Sequence, residues 1–179
     1  MYLLRNNNAA RYFSIFCFSF FLIIFSLVLV NNLGYISFLP AFLIIALVYI
    51  AAYANVGIGV VLSYVLFYIY GSLTAVNPAV VAFSGIVSYA VAYILWKKIA
   101  IDNVLVEILV TFFSFAVFDI VLFMSVFYGL GVGFSYTDFF TGFYLPSSVS
   151  TALISPVIFP VFKKLGFAKF PWKGALFLD

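Results

Sequence analysis

Residues Leu145–Lys164 read LPSSVSTALISPVIFPVFKK. On a helix Ser147, Thr151 and Ser155 fall at i, i+4 and i+8, a narrow strip of hydroxyl side chains among bulky apolar ones. Lipid gives helices little hydrophobic drive to associate, so close contact comes from small residues that let backbones approach and from side-chain hydrogen bonds. The strip is therefore a seat for another helix, within this chain or on a partner, and the segment reads as the one the bundle is organised around. Pro156 and Pro160 each remove a backbone donor. The carbonyls one turn earlier then need a hydroxyl, protein or water partner, so the helix is not expected to face lipid all round. Lys163 and Lys164 close it with positive charge, which suits a helix C-terminus and a cytoplasmic membrane face.

Composition fixes the setting of that helix. Of 179 residues, 68% are hydrophobic and 7% charged, too few polar groups to cover a soluble domain of this size. The expected fold is all-α, one polytopic membrane domain over residues 1–179, with about 20 residues needed per span. The net charge of +3 does not point to nucleic acid, because the basic residues sit in short clusters beside apolar runs, as membrane topology requires. Cys17 is the sole cysteine and there is no histidine. Intrachain disulfides, Cys/His zinc sites and His-based catalysis are excluded, and Cys17 reads as a small apolar residue of a span. Residues 1–30 carry basic flanks and an apolar run that ends at Asn31-Asn32 without a small-residue cleavage site, so they read as a retained first span.

Six spans are expected, at about 12–30, 38–53, 56–73, 78–96, 104–128 and 145–162. Pro40 suits the first turn of the second, Ala54-Asn55 leaves room only for a tight reversal, and Pro78 opens the fourth. Along the fourth span Ser84, Ser88 and Ala92 repeat the small-every-fourth pattern, a second packing or partner face. Gly57, Gly59 and Gly71 mark close approach at the two ends of the third. Gly129–Thr141 reads as an interfacial loop, and the tail with Lys169, Phe170, Trp172 and Lys173 as a segment lying at the membrane surface. With both termini cytoplasmic, Arg5, Arg11, Lys97, Lys98, Lys163, Lys164, Lys169 and Lys173 all fall on the inner side. That is every basic residue of the chain, so the charge rule and the hydropathy pattern agree.

Few residues offer chemistry. Asp119, within FAVFDIVLF, is the one ionisable group deep in a span, where a carboxylate costs about 2.5 to 3.5 kcal/mol on insertion scales. It reads either as a neutral carboxyl hydrogen-bonded inside the bundle, or as a proton site, ligand site or polar hook for a partner helix. Glu107 is expected at the cytoplasmic start of the fifth span, close to Lys97 or Lys98, and Asp138 as a solvated loop acid. Tyr49, Tyr53, Tyr64, Tyr68, Tyr70, Tyr89 and Tyr93 fill the middle spans with phenols, for packing or for a polar cleft. No paired carboxylates, no nucleophile with a base and no metal cluster stand out, so neither an enzyme nor a cofactor is expected.

The closing LPSSVSTALISPVIFPVFKKL resembles the end of the bacterial rod shape-determining protein MreD family, where a Leu-Pro opens the last span and basic residues end a short tail. The region Asn55–Lys98, with Gly57, Gly59, Gly71 and Gly85, resembles that family's middle. One departure is FYIYGS at the end of the third span, where the family often carries an Asp. The resemblance implies a non-enzymatic, multi-pass subunit of the cell-elongation complex in the bacterial inner membrane, coupling a cytoskeletal filament to peptidoglycan synthesis beside MreC, RodA and a class B penicillin-binding protein. The alternative is a substrate-binding S component of an energy-coupling factor vitamin transporter, also of about this length and six spans. Its usual Ala-x-x-x-Ala docking motif is missing from RYFSIFCFSFFLIIFSL in the first span. A third class, a proton-coupled carrier, rests on Asp119 alone.

Overall fold

The computed structural model describes residues 8–33, 41–74, 76–99, 103–130 and 145–167. They form six α-helices: α1 (Asn8–Leu33), α2 (Phe42–Tyr53), α3 (Val56–Leu73), α4 (Pro78–Ile99), α5 (Val104–Leu130) and α6 (Leu145–Phe162), the last continued by a π-helical turn, Lys163–Phe167. Pro40, most of the Gly129–Thr141 loop with Asp138, and the tail carrying Lys169, Phe170, Trp172 and Lys173 lie outside the described residues.

Asparagines start α3, α4 and α5. Asn55 Oδ1 accepts from the Gly57 N–H at 3.1 Å, Asn77 Oδ1 from Ala79 at 2.9 Å and Asn103 Oδ1 from Leu105 at 3.3 Å. Each satisfies one of the donors that a first helical turn leaves open. The asparagines at the end of α1 behave differently. Asn31 and Asn32 were expected in a connector, but they continue the helix, and Asn32 donates back to the Val28 carbonyl at 2.8 Å. α4 and α5 likewise run a turn or less beyond the expected spans.

The centre of the bundle is α2, not the last helix. Every residue from Phe42 to Ala52 is buried, as a helix apolar on all sides must be to serve as a core. α3, α4, α5 and α6 stand side by side in chain order around it, and α1, touching α3 and the π turn, closes the ring. Two glycines allow the ring to be tight. A Cβ on Gly71 would lie 2.7 Å from the Pro78 Cα, where α3 reverses into α4, and one on Gly85 would strike the Phe67 ring, which reaches past α4 to within 5.1 Å of Phe118 on α5.

The outward faces are apolar: Phe13, Phe21 and Val28 on α1, Val61 on α3, Phe83 and Ile94 on α4, Leu105, Leu109 and Phe113 on α5, and Leu153 and Val157 on α6 are all exposed. Among the described residues five helices are long and apolar enough to cross a bilayer, and α2 is a shorter apolar helix. This is the architecture of a multi-pass helical membrane protein.

α6 holds the start of α2. No side chain of its own caps α2, but the Ala41 N–H donates to Thr151 Oγ1 at 2.8 Å, while that hydroxyl donates to the Ser147 carbonyl at 2.6 Å. A donor that lipid could not satisfy is thus met by a neighbouring helix. Replacing Thr151 by Val keeps the branched shape and loses the bond. Thermal unfolding of the detergent-solubilised protein, followed by circular dichroism, should show Thr151→Val destabilised by about 1 to 2 kcal/mol and Thr151→Ser near wild type. Equal stability of the two variants would mean that the bond contributes nothing.

Candidate functional site

The two small-residue stripes are both buried, and they do not face one another. Ser84, Ser88 and Ala92 of α4 are fully buried, and Ser88 Oγ donates to the Ser114 carbonyl of α5 at 2.7 Å. Ser147, Thr151 and Ser155 of α6 are buried beside α2 and α5. Their hydroxyls are bonded within the helix or to its neighbour. Ser84 donates to Val80 at 2.9 Å and Ser155 to Ala152 at 2.7 Å. The Ser155 bond answers the proline next to it. Ala152 is the carbonyl that Pro156 cannot reach, having no N–H, and the hydroxyl one residue earlier replaces the missing donor. The helix therefore passes through Pro156 and Pro160 unbroken.

One end of the bundle collects the charge. Tyr12, near the start of α1, accepts from the Asn55 N–H at 3.4 Å; Tyr53, ending α2, lies 6.2 Å from Trp96 near the end of α4. Lys163, just past α6, sits 5.7 Å above the Tyr53 ring and donates to Glu107 Oε1 at 3.0 Å. Arg11, Lys97, Lys98, Lys163 and Lys164 consequently share this end. Glu107 was expected beside Lys97 or Lys98; its partner is Lys163. Lys97 instead lies 5.7 Å over the Tyr93 ring with its side chain exposed, whereas Glu107 points inward toward α6. The pair is unevenly buried, with 31% of the Lys163 side chain exposed against 6% for Glu107.

Aromatic rings floor this ion pair. Tyr49 stacks on Phe162 at 4.7 Å and donates its hydroxyl to the Phe162 carbonyl at 3.1 Å, and Trp96 stacks on Phe159 at 6.1 Å. The apolar floor strengthens the attraction between the charges and raises the cost of leaving either alone. The carboxylate lies in the first turn of α5 and the ammonium past the last turn of α6, so both helix dipoles favour the arrangement. Sequence reasoning missed this cluster. The only sign of it was an acid opening one span and a basic pair closing another, 56 residues apart.

Asp119 lies elsewhere. It is half-buried on the flank of α5, about 18 Å along the helix from Glu107, and has neither a hydrogen bond nor an ion pair among the described residues. The structure thus leaves it without the internal bond that one reading required. Four other buried polar atoms, Ser19 Oγ, Ser63 Oγ, Tyr89 Oη and Ser114 Oγ, have no hydrogen-bond partner among the described residues, and the Tyr89 hydroxyl abuts Gly59 in the first turn of α3. Among the described residues no group of acids and thiols could hold a metal.

Fold and surface together define the chain as a multi-pass helical membrane protein. No family model, curated protein or solved structure compared with it matches.

The uneven burial of the ion pair makes its two halves unequal. Lys163→Met leaves the Glu107 carboxylate desolvated and alone, and is expected to cost about 3 kcal/mol or more. Glu107→Gln leaves an ammonium that can still reach water or headgroups, for about 1 to 2 kcal/mol. The double variant should be more stable than Lys163→Met. Thermal melts in detergent giving Lys163→Met the milder loss would show that Glu107 is not desolvated.

Proposed function

We propose that the chain is a non-enzymatic subunit of the bacterial cell-elongation machinery, of the rod shape-determining MreD kind. In this reading it crosses the inner membrane six times with both termini cytoplasmic, and its partners are MreC, RodA and a class B penicillin-binding protein. One observation carries the reading from the side of the geometry. Hydroxyls on both small-residue stripes, the proline-side Ser155 and the Glu107–Lys163 pair are engaged in holding helices in place. That is the use expected of a scaffold whose output is a fixed shape presented to other proteins. The resemblance of the closing segment and of Asn55–Lys98 supplies the choice of machinery. The shared basic end, toward which α1 and α3 begin and α2, α4 and α6 finish, supports the orientation.

The S-component reading is favoured by a different observation, the unpartnered Ser19, Ser63 and Tyr89 hydroxyls, which could bond a small polar ligand. Against it, the Tyr89 hydroxyl abuts the first turn of α3, at the basic end, whereas a vitamin would enter from the opposite side.

Two measurements test these statements. After Cys17→Ala, a cysteine placed at Asp138 should react with an impermeant thiol reagent added from outside and one at Asp102 should not; the reverse pattern overturns the orientation. Affinity purification from the native membrane in mild detergent should bring down MreC or cell-wall synthases. Recovery of two ATPases with a shared transmembrane coupling subunit would establish the transporter reading instead.

A further inference from the structure

Asp119 is the described acid that the bundle does not use. It stands twelve residues beyond Glu107, whose pairing with Lys163 marks the charged end, and so falls near the middle of a hydrocarbon core about 30 Å thick. Its side chain is half-buried, with Phe115 buried on one side and Ile120, Phe113 and Met124 exposed on the other. It therefore borders the lipid-facing surface without lying fully on it. No hydrogen bond or ion pair reaches it among the described residues. A carboxyl at that depth is costly to insert and is retained where a partner offsets the cost.

The described residues of a second copy of the chain supply no cation at that level. Every lysine and arginine lies before Tyr12, at the end of α4, or from Lys163 onward, and there is no histidine. In a copy inserted in the same direction the described ones, Arg11, Lys97, Lys98, Lys163 and Lys164, stand at the far end of its helices, about 18 Å from the level of Asp119.

We infer that Asp119 is the docking point for a transmembrane helix of another protein that carries a lysine, arginine or histidine near the bilayer midplane, seated on the α5 flank beside Ala116 and Phe123. The charge of the incoming side chain selects the helix, and the small Ala116, one turn before the acid, lets its backbone approach. This inference deepens the reading of the chain as a partner-binding subunit, and it names the chemistry that the partner must present.

The test is photo-crosslinking in intact native membranes, with a photoreactive residue at Ala116 or Phe123 and, as control, at Leu153 on the exposed face of α6. Adducts at the first two positions should map by mass spectrometry to a transmembrane segment containing a basic residue. Their yield should fall by about tenfold or more in Asp119→Leu and persist in Asp119→Glu, with the chain accumulating equally in both. Asp119→Lys, combined with an acid in place of the partner's cation, should restore the yield. Adducts to lipid alone, to a second copy of the chain, or to a segment without a cation would overturn the inference, as would a yield indifferent to Asp119→Leu. The outcomes separate from those of the functional reading. A basic partner unrelated to wall synthesis would leave the docking point standing and remove the elongation reading. Retention of MreC or RodA by Asp119→Leu would do the reverse.

Discussion

Burial of α2 on every side dictates where the other five helices stand. A helix with no polar face can be held only by being surrounded, and in lipid the surrounding cannot be driven by exclusion of water from apolar surface. What holds it is close packing and hydrogen bonds at its two ends. Thr151 receives the N–H of Ala41 at the start, and Tyr49 gives its hydroxyl to the Phe162 carbonyl near the finish. Both bonds go to α6, which is why the serine and threonine strip of that helix is turned inward rather than toward lipid.

The same economy governs the other polar groups. Within hydrocarbon a backbone or hydroxyl group without a partner inside the protein is costly, and apart from Ser19, Ser63, Tyr89 and Ser114 the buried hydroxyls among the described residues are bonded. Ser14, Ser72, Ser84, Thr111, Ser148 and Ser150 bond to carbonyls three or four residues earlier, and Ser155 bonds to the carbonyl that Pro156 leaves open. Such bonds slightly weaken a helix in water; here they let hydroxyls pass through the membrane at small cost and leave small side chains where helices cross. Charge is handled by position. Glu107 and Lys163 meet at the end where headgroups and water can share the cost, over a floor of Tyr49, Trp96, Phe159 and Phe162.

A bundle tied in this way is suited to presenting a stable outline. The hydroxyls of its two small-residue stripes and its ion pair are occupied within the chain, so a partner must find something else to grip. The exposed aromatic and aliphatic faces of α1, α3 and α5 offer shape without direction, since lipid matches them equally well. Asp119 differs because hydrocarbon cannot satisfy it, and that difference gives one flank of α5 a chemical preference.

The class of protein and most of its helices were legible in the chain itself. Apolar runs of span length, prolines and asparagines at the reversals, and basic residues confined to a few clusters are local properties, and local physics decides them. The small-residue stripes were legible as packing surfaces for the same reason, since the spacing of Ser84, Ser88, Ser147 and Thr151 depends only on helical geometry. Three things required the tertiary structure. α2 looks on paper like any lipid-facing span, because an apolar side chain gives no sign of whether lipid or protein will cover it. Glu107 had several lysines available at one membrane face, and only the seating of α6 against α5 chose Lys163. Asp119 could have been bonded inside the bundle or left on its flank, and the rotation of α5 about its own axis, set by Val110, Ser114 and Phe118 packing inward, turned it to the border with lipid.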